Sequence, residues 1–168
     1  MHRAARLLGT IATAGAATLG AASLLAPAAQ AAPVAQAASA ARAARSPVVI
    51  REIYYNSPGP DYGSNSSLNH EWVKLHNRTN HAVTMTHWTL RDRAGHVFKF
   101  AHYRLRAHGS VKIHTGHGNR SQTDRYWNSG WYIWNNDGDR ATLKNAHGTV
   151  KSRCSYSDSS EDFAAVIC

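Results

Sequence analysis

The stretch Glu71-Trp-Val-Lys-Leu-His-Asn77, EWVKLHN, sets Val73 and Leu75 on one side of an extended chain and Trp72, Lys74 and His76 on the other. Successive side chains of a strand point to opposite faces, so this pattern marks a strand with one face in a core and one towards water. Glu71 opens the strand on the side of Val73 and Leu75. A carboxyl in that position needs hydrogen-bond donors. The expected donors are backbone N–H groups of the preceding loop, SNSSLN, residues 64–69.

The segments on either side repeat the pattern. VVIREIYY, residues 48–55, is β-branched and aromatic, and HAVTM, residues 81–85, reads as a short edge strand. HWTLRD puts Trp88 and Leu90 together, and the turn Arg93-Ala94-Gly95 leads to HVFKF, with Phe98 and Phe100 on one face. GSVKIHT aligns Val111 with Ile113, RATLKN aligns Ala141 with Leu143, and AHG turns into TVKSRCSY, residues 149–156. Seven or eight short strands with turn signals between them, and no long stretch of helical period, predict an all-β antiparallel sandwich. Two gaps exceed turn length, Asn56–Asn69 and Thr115–Gly130, and long loops in a compact domain commonly carry function.

The N-terminus reads differently. A basic head with Arg3 and Arg6 precedes an uncharged run over residues 7–25 and an Ala-x-Ala at Ala29 and Ala31, the pattern of a secretory signal peptide. Residues 1–31 are therefore expected to be removed on export, leaving no membrane anchor. Residues 32–46 are Ala-rich with Arg42 and Arg45 and offer no apolar face, as in a disordered linker. The sandwich is expected over residues 47–157, with residues 158–168 as a tail. Outside the cell, the two cysteines, Cys154 and Cys168, are expected to form a disulfide that staples this tail to the domain. The full chain carries a formal charge of +9; without Arg3 and Arg6 its 19 basic residues become 17 and the charge falls to +7.

The order IREIYYNSPG, LNHEWVKLHN, HWTLRDRAGHVFKF, LRAHGSVKIHTGHG, RYWNSGWYIWNNDGDRATLKNAHGTV resembles the lamin tail domain from about Val48 to Val150. The elements that carry the resemblance are the strand Glu71-Trp72-Val73, the strand Trp88-x-Leu90-x-Asp92 with Gly95 three residues on, and the turn Trp134-Asn135-Asn136-x-Gly138-Asp139. The resemblance implies an immunoglobulin-like β-sandwich acting as a scaffold or interaction module, with no catalytic residue. The export signal and the lack of coiled-coil heptads set the chain apart from the nuclear lamins.

Residues 131–143, WYIWNNDGDRATL, pose the sharpest chemical question. Asp137-Gly138 is a strong hairpin pair, since Gly takes positive φ freely and Asp tolerates it. Asn135, Asn136, Asp137 and Asp139 could contribute oxygens to a cation, joined by Asp61 or Asn65, but the spacing is not that of a calcium loop. A turn with an aromatic lid is the expected arrangement. His114, His117 and Asp124 are the best set for a metal-dependent hydrolase, yet there is no His-Glu-x-x-His, nucleophile elbow or phosphate loop. The sequence thus implies no enzyme, cofactor or metal. The expected contact surface comprises the aromatics Tyr126, Trp127, Trp131, Tyr132 and Trp134, with a basic stripe formed by Lys74, Lys112 and Lys144. Such a surface suits an extracellular protein or an anionic polymer such as those of the cell wall, with nucleic acid as the alternative partner.

Overall fold

The computed structural model describes residues 46–157 and 164–168. The expected signal peptide, nearly all of the Ala-rich linker and the first part of the tail lie outside the described residues. Among the described residues there are eleven strands and one short helix: β1 (Val48–Tyr54), α1 (Asn65–His70), β2 (Trp72–Asn77), β3 (Val83–Thr84), β4 (Thr89–Arg91), β5 (Val97–Lys99), β6 (Arg104–Leu105), β7 (Ser110–His114), β8 (Asp124–Tyr126), β9 (Gly138–Lys144), β10 (Val150–Ser157) and β11 (Ala165–Ile167). They form a five-stranded sheet ordered β11-β1-β2-β7-β8, a four-stranded sheet ordered β10-β9-β4-β5, and a ribbon of β3 and β6.

Alternation places the core as expected. Val73, Leu75, Trp88, Leu90, Val111 and Ile113 are buried in one cluster with Phe100, Trp134, Ala141 and Leu143. Along β1 the buried residues are Val48, Ile50 and Ile53, and the missing beat is a bulge between Ile50 and Glu52. The extra residue, Arg51, resets the phase so that both halves of the strand face inwards. The turn after β4 is closed by Asp92, whose buried carboxylate accepts the backbone N–H groups of Gly95 and His96, both at 2.6 Å.

Four features depart from the sequence pattern. The first gap contains α1, capped by Ser64, whose Oγ accepts the Ser67 N–H at 3.2 Å. Only Leu68 of this helix is buried. The second gap contains β8, which runs parallel to β7 through Thr123 C=O to Lys112 N–H and His114 C=O to Trp127 N–H, both 2.8 Å. Near the C-terminus, β11 adds an edge strand to β1. Finally, Asp137-Gly138 does turn the chain, with Gly138 at φ +121 and its N–H on the Asn135 carbonyl at 3.3 Å. The turn is not a hairpin, because the strand before it, β8, belongs to the other sheet.

Candidate functional site

The outer face of the five-stranded sheet carries two cross-strand rows. One is Glu52, Lys74, Lys112, Asp124 and the other Tyr54, Trp72, His114, Tyr126. In the first row Lys74 Nζ lies 3.7 Å from Glu52, and Lys112 Nζ sits 3.8 Å from the centre of the Trp72 ring. Lys144, however, is on β9 in the four-stranded sheet. A single stripe of Lys74, Lys112 and Lys144 therefore does not exist. Alternation tells which face a residue takes, whereas the sheet it joins depends on topology.

The aromatic set is divided as well. Trp134 is core, packed edge-on against half-buried Trp127 at 6.0 Å between ring centres. Tyr126 stacks on His114 at 5.1 Å. Trp131 is 60% exposed and lies edge-on to Tyr132, whose hydroxyl is 2.7 Å from Ser67 Oγ. Trp131 and Tyr132 thus sit beside α1, and Tyr126 and Trp127 beside the far edge of the sandwich.

At that far edge, β5 and β8 are the last strands of their sheets, and a cleft of about 910 Å³ opens between them. Phe98, Phe100, Tyr103 and Trp127 supply its apolar lining. Lys99, His102, Arg120 and Arg125 supply its charge, and no Asp or Glu is among the described residues that line it. The guanidinium of Arg125 lies 4.1 Å from the centre of the Tyr103 ring. Partial burial pushes the Arg125 pKa down. The neighbouring carboxylate, Asp124, is held by Ser121, Thr123 and His114, with the Thr123 bond the strongest influence lowering its pKa. A smaller hollow of about 590 Å³ on the opposite side is bordered by Arg51, Lys74, His76 and Arg153. Lys99, Arg120 and Arg125 are far apart in the sequence, and of the sequence features only the long second gap points to this region.

Glu71 is fully buried, but its partners are not the expected ones. Oε1 accepts Thr115 Oγ1 at 2.5 Å and the Ile133 N–H at 2.8 Å, so the carboxyl braces the segments before and after β8. Residues 65–70 form a helix, and the donors to Glu71 come instead from Thr115 and Ile133. Burial raises the Glu71 pKa to about 7, against the opposing pull of Thr115 and the Ile133 and Trp134 backbone. Its Oε2 has no hydrogen-bond partner among the described residues.

The sets considered for metals do not converge. Asp139 spends its carboxylate on the N–H groups of Arg93 and Arg140 and on Asn135. Asp61 does approach Asn136, whose side-chain amide donates to its carboxylate at 3.4 Å. His114 uses both ring nitrogens, on Asp124 and on the Asn69 carbonyl, while His117 engages Asn65 and Asn69 through its backbone. Among the described residues no three His, Cys, Asp or Glu side chains are grouped to hold a metal ion.

Two stacked sheets, antiparallel except where β8 joins β7, define a β-sandwich of the immunoglobulin-like class. The Lamin Tail Domain family model matches residues 41–158, and the chain belongs to that family. The match includes Cys154 and stops short of Cys168. It extends beyond the 48–150 resemblance at both ends, and it supports a binding or scaffold module without catalysis. No curated protein is similar enough to the chain to count as a match.

Proposed function

We propose that this domain is a non-catalytic binding module that works outside the cell and takes an anionic partner in the cleft between β5 and β8. One observation carries the reading: three permanent cations and a histidine border an aromatic-lined cleft with no carboxylate among its described lining residues. Cations that outnumber acids at the mouth of a cleft, here with Asp124 as the one neighbouring carboxylate named above, create a positive field that attracts and steers an anion. Half-buried aromatics next to them offer apolar contact that strengthens once the site is covered. The lysines of the outer sheet face are the weaker choice, since Lys74 and Lys112 are already engaged within the sheet. Export supports placing the partner outside the cell and rests on the N-terminal pattern of residues 1–31.

The test is binding of the full chain to polyglutamate, polyphosphate and duplex DNA of matched charge at two salt concentrations. Affinity is expected to fall at least about tenfold between about 50 and 200 mM salt. Lys99→Glu with Arg120→Glu is expected to remove most of the binding. Flat salt dependence, or no effect of the double charge reversal, overturns the reading. A marked preference for DNA over the other polyanions replaces it with nucleic-acid binding.

A further inference from the structure

Within that cleft, we infer that β5 receives an extended acidic peptide segment as an added antiparallel or parallel strand. The inference rests on the anionic-partner reading above and adds backbone pairing to it. The ladder between β4 and β5 shows which peptide groups of β5 are already used. The Asp92 N–H donates to the His96 carbonyl at 3.3 Å, the Phe100 N–H donates to the Trp88 carbonyl at 2.9 Å, and Phe98 lies opposite Leu90. Peptide groups alternate in direction along a strand, so those of His96, Phe98 and Phe100 face β4 and those of Val97 and Lys99 face away. The backbone N–H and C=O of Val97 and Lys99 therefore point to the side of β5 where the sheet has no further strand.

A free edge of this kind is a template for another strand. Its two outward residues form part of the cleft lining, so an added strand would lie in the cleft rather than beside it. Val97 is 48% exposed, and Phe98 lies 5.8 Å from Trp127 between ring centres, giving such a strand apolar contact for alternate side chains. The other side chains of the added strand would meet Arg120, Arg125 and His102. Charge decides the occupant. A second copy of this chain carries a net positive charge, whereas a segment rich in Glu and Asp brings the complement to Lys99. A polyanion without amide groups can satisfy the cations but not Val97 and Lys99.

The experiment measures binding of the full chain to an alternating Glu-Val peptide and to two versions N-methylated at one or the other alternate set of residues. N-methylation removes an N–H donor and keeps charge and side chains. One version is expected to bind at least tenfold more weakly than the parent and the other within about twofold of it. In parallel, Val97→Pro removes an outward N–H and leaves the β4 ladder intact, because proline is tolerated at an edge. It is expected to weaken the Glu-Val peptide at least tenfold and polyphosphate by less than twofold. Equal effects of the two N-methylated peptides, or no effect of either, overturn strand addition even if Val97→Pro fails to fold. In that event, salt-dependent binding of polyphosphate leaves the anionic-partner reading standing, whereas absence of binding to every polyanion removes both.

Discussion

The two long edges of the sandwich are finished in opposite ways. On one, β10 and β11 close their sheets and are joined by the Cys154–Cys168 disulfide, with Cα atoms 5.7 Å apart. The Cys168 N–H also reaches the Arg51 carbonyl, and the Ile50 N–H reaches Ser152 Oγ, so the sheets are laced across this edge. On the other, β5 and β8 are separated by the cleft, and side-chain bonds join the segments that follow β5 and precede β8, Tyr103 donating to the Gln122 carbonyl and Gln122 to the Arg104 carbonyl. Open strand edges invite pairing, and proteins normally cover or close them. The disulfide closes one edge, and under the proposed reading the cationic cleft at the other is where the partner enters.

The largest effect should come from the closed edge. Cys154→Ser with Cys168→Ser opens a loop of sequence separation 14, worth about 3 kcal/mol in the chain-entropy model. Thermal unfolding is expected to fall by about 10 °C for a domain of this size. Amide exchange should quicken first in β11 and along its partner β1. Affinity for acidic peptide should stay within twofold. Lost affinity would mean that the two edges are coupled and the contrast between them is false.

A second test concerns what holds the open edge in place. Glu71 ties Thr115, before β8, to Ile133, after it, and so does without a covalent bond what the disulfide does opposite. Its folded pKa of about 7 lies above the ordinary 4.5. Below pH 4.5 the group is neutral in both the folded and unfolded chain, and its neutral form suits the core. As pH rises the unfolded chain releases the proton first, so stability falls across the window from 4.5 to about 7 and is level above it. At 1.36 kcal/mol per unit the loss is at most about 3 kcal/mol. Glu71→Gln is expected to flatten this slope and to stabilise the domain at pH 8, by less than the full amount because its amide brings a donor that needs a partner. Amides of residues 115–133 should exchange faster at pH 8 than at pH 5 in the parent chain, and β10 should not change. A pH slope that persists in Glu71→Gln would remove Glu71 as the brace.

These two edges were unequally legible in the sequence. The strands at the centre of the sheets announce themselves because Val73, Leu75, Val111 and Ile113 alternate with polar partners over several residues. The closed edge was half visible: the cysteine pair was plain, but Ala165-Val166-Ile167 is too short to show a period. The open edge was least visible. Asp124-Arg125-Tyr126 has three half-buried residues and no alternation, since neither face of this edge strand is fully covered. α1 hides for the same reason, with one apolar residue in six, although Ser64 followed three positions on by Ser67 marks its cap. Nor could residue type separate the tryptophans. Trp131 and Trp134 are three apart in one loop, yet one is exposed and the other is core.

That last pair gives the smallest expected effect and the most direct challenge to the open edge. Trp131 packs against Gly63, which sits at φ +68, and against Tyr132, outside the cleft lining. With 60% of its surface exposed, Trp131→Ala should change stability by no more than about 0.5 kcal/mol, the usual range for a surface substitution. Acidic-peptide affinity should be unchanged within error, because the ring touches neither β5 nor the cations around it. If Trp131→Ala instead cut affinity tenfold at unchanged stability, the exposed indole beside α1 would be the anchor. The partner would then sit on the end of the sandwich, and the cationic cleft would be a solubilising surface.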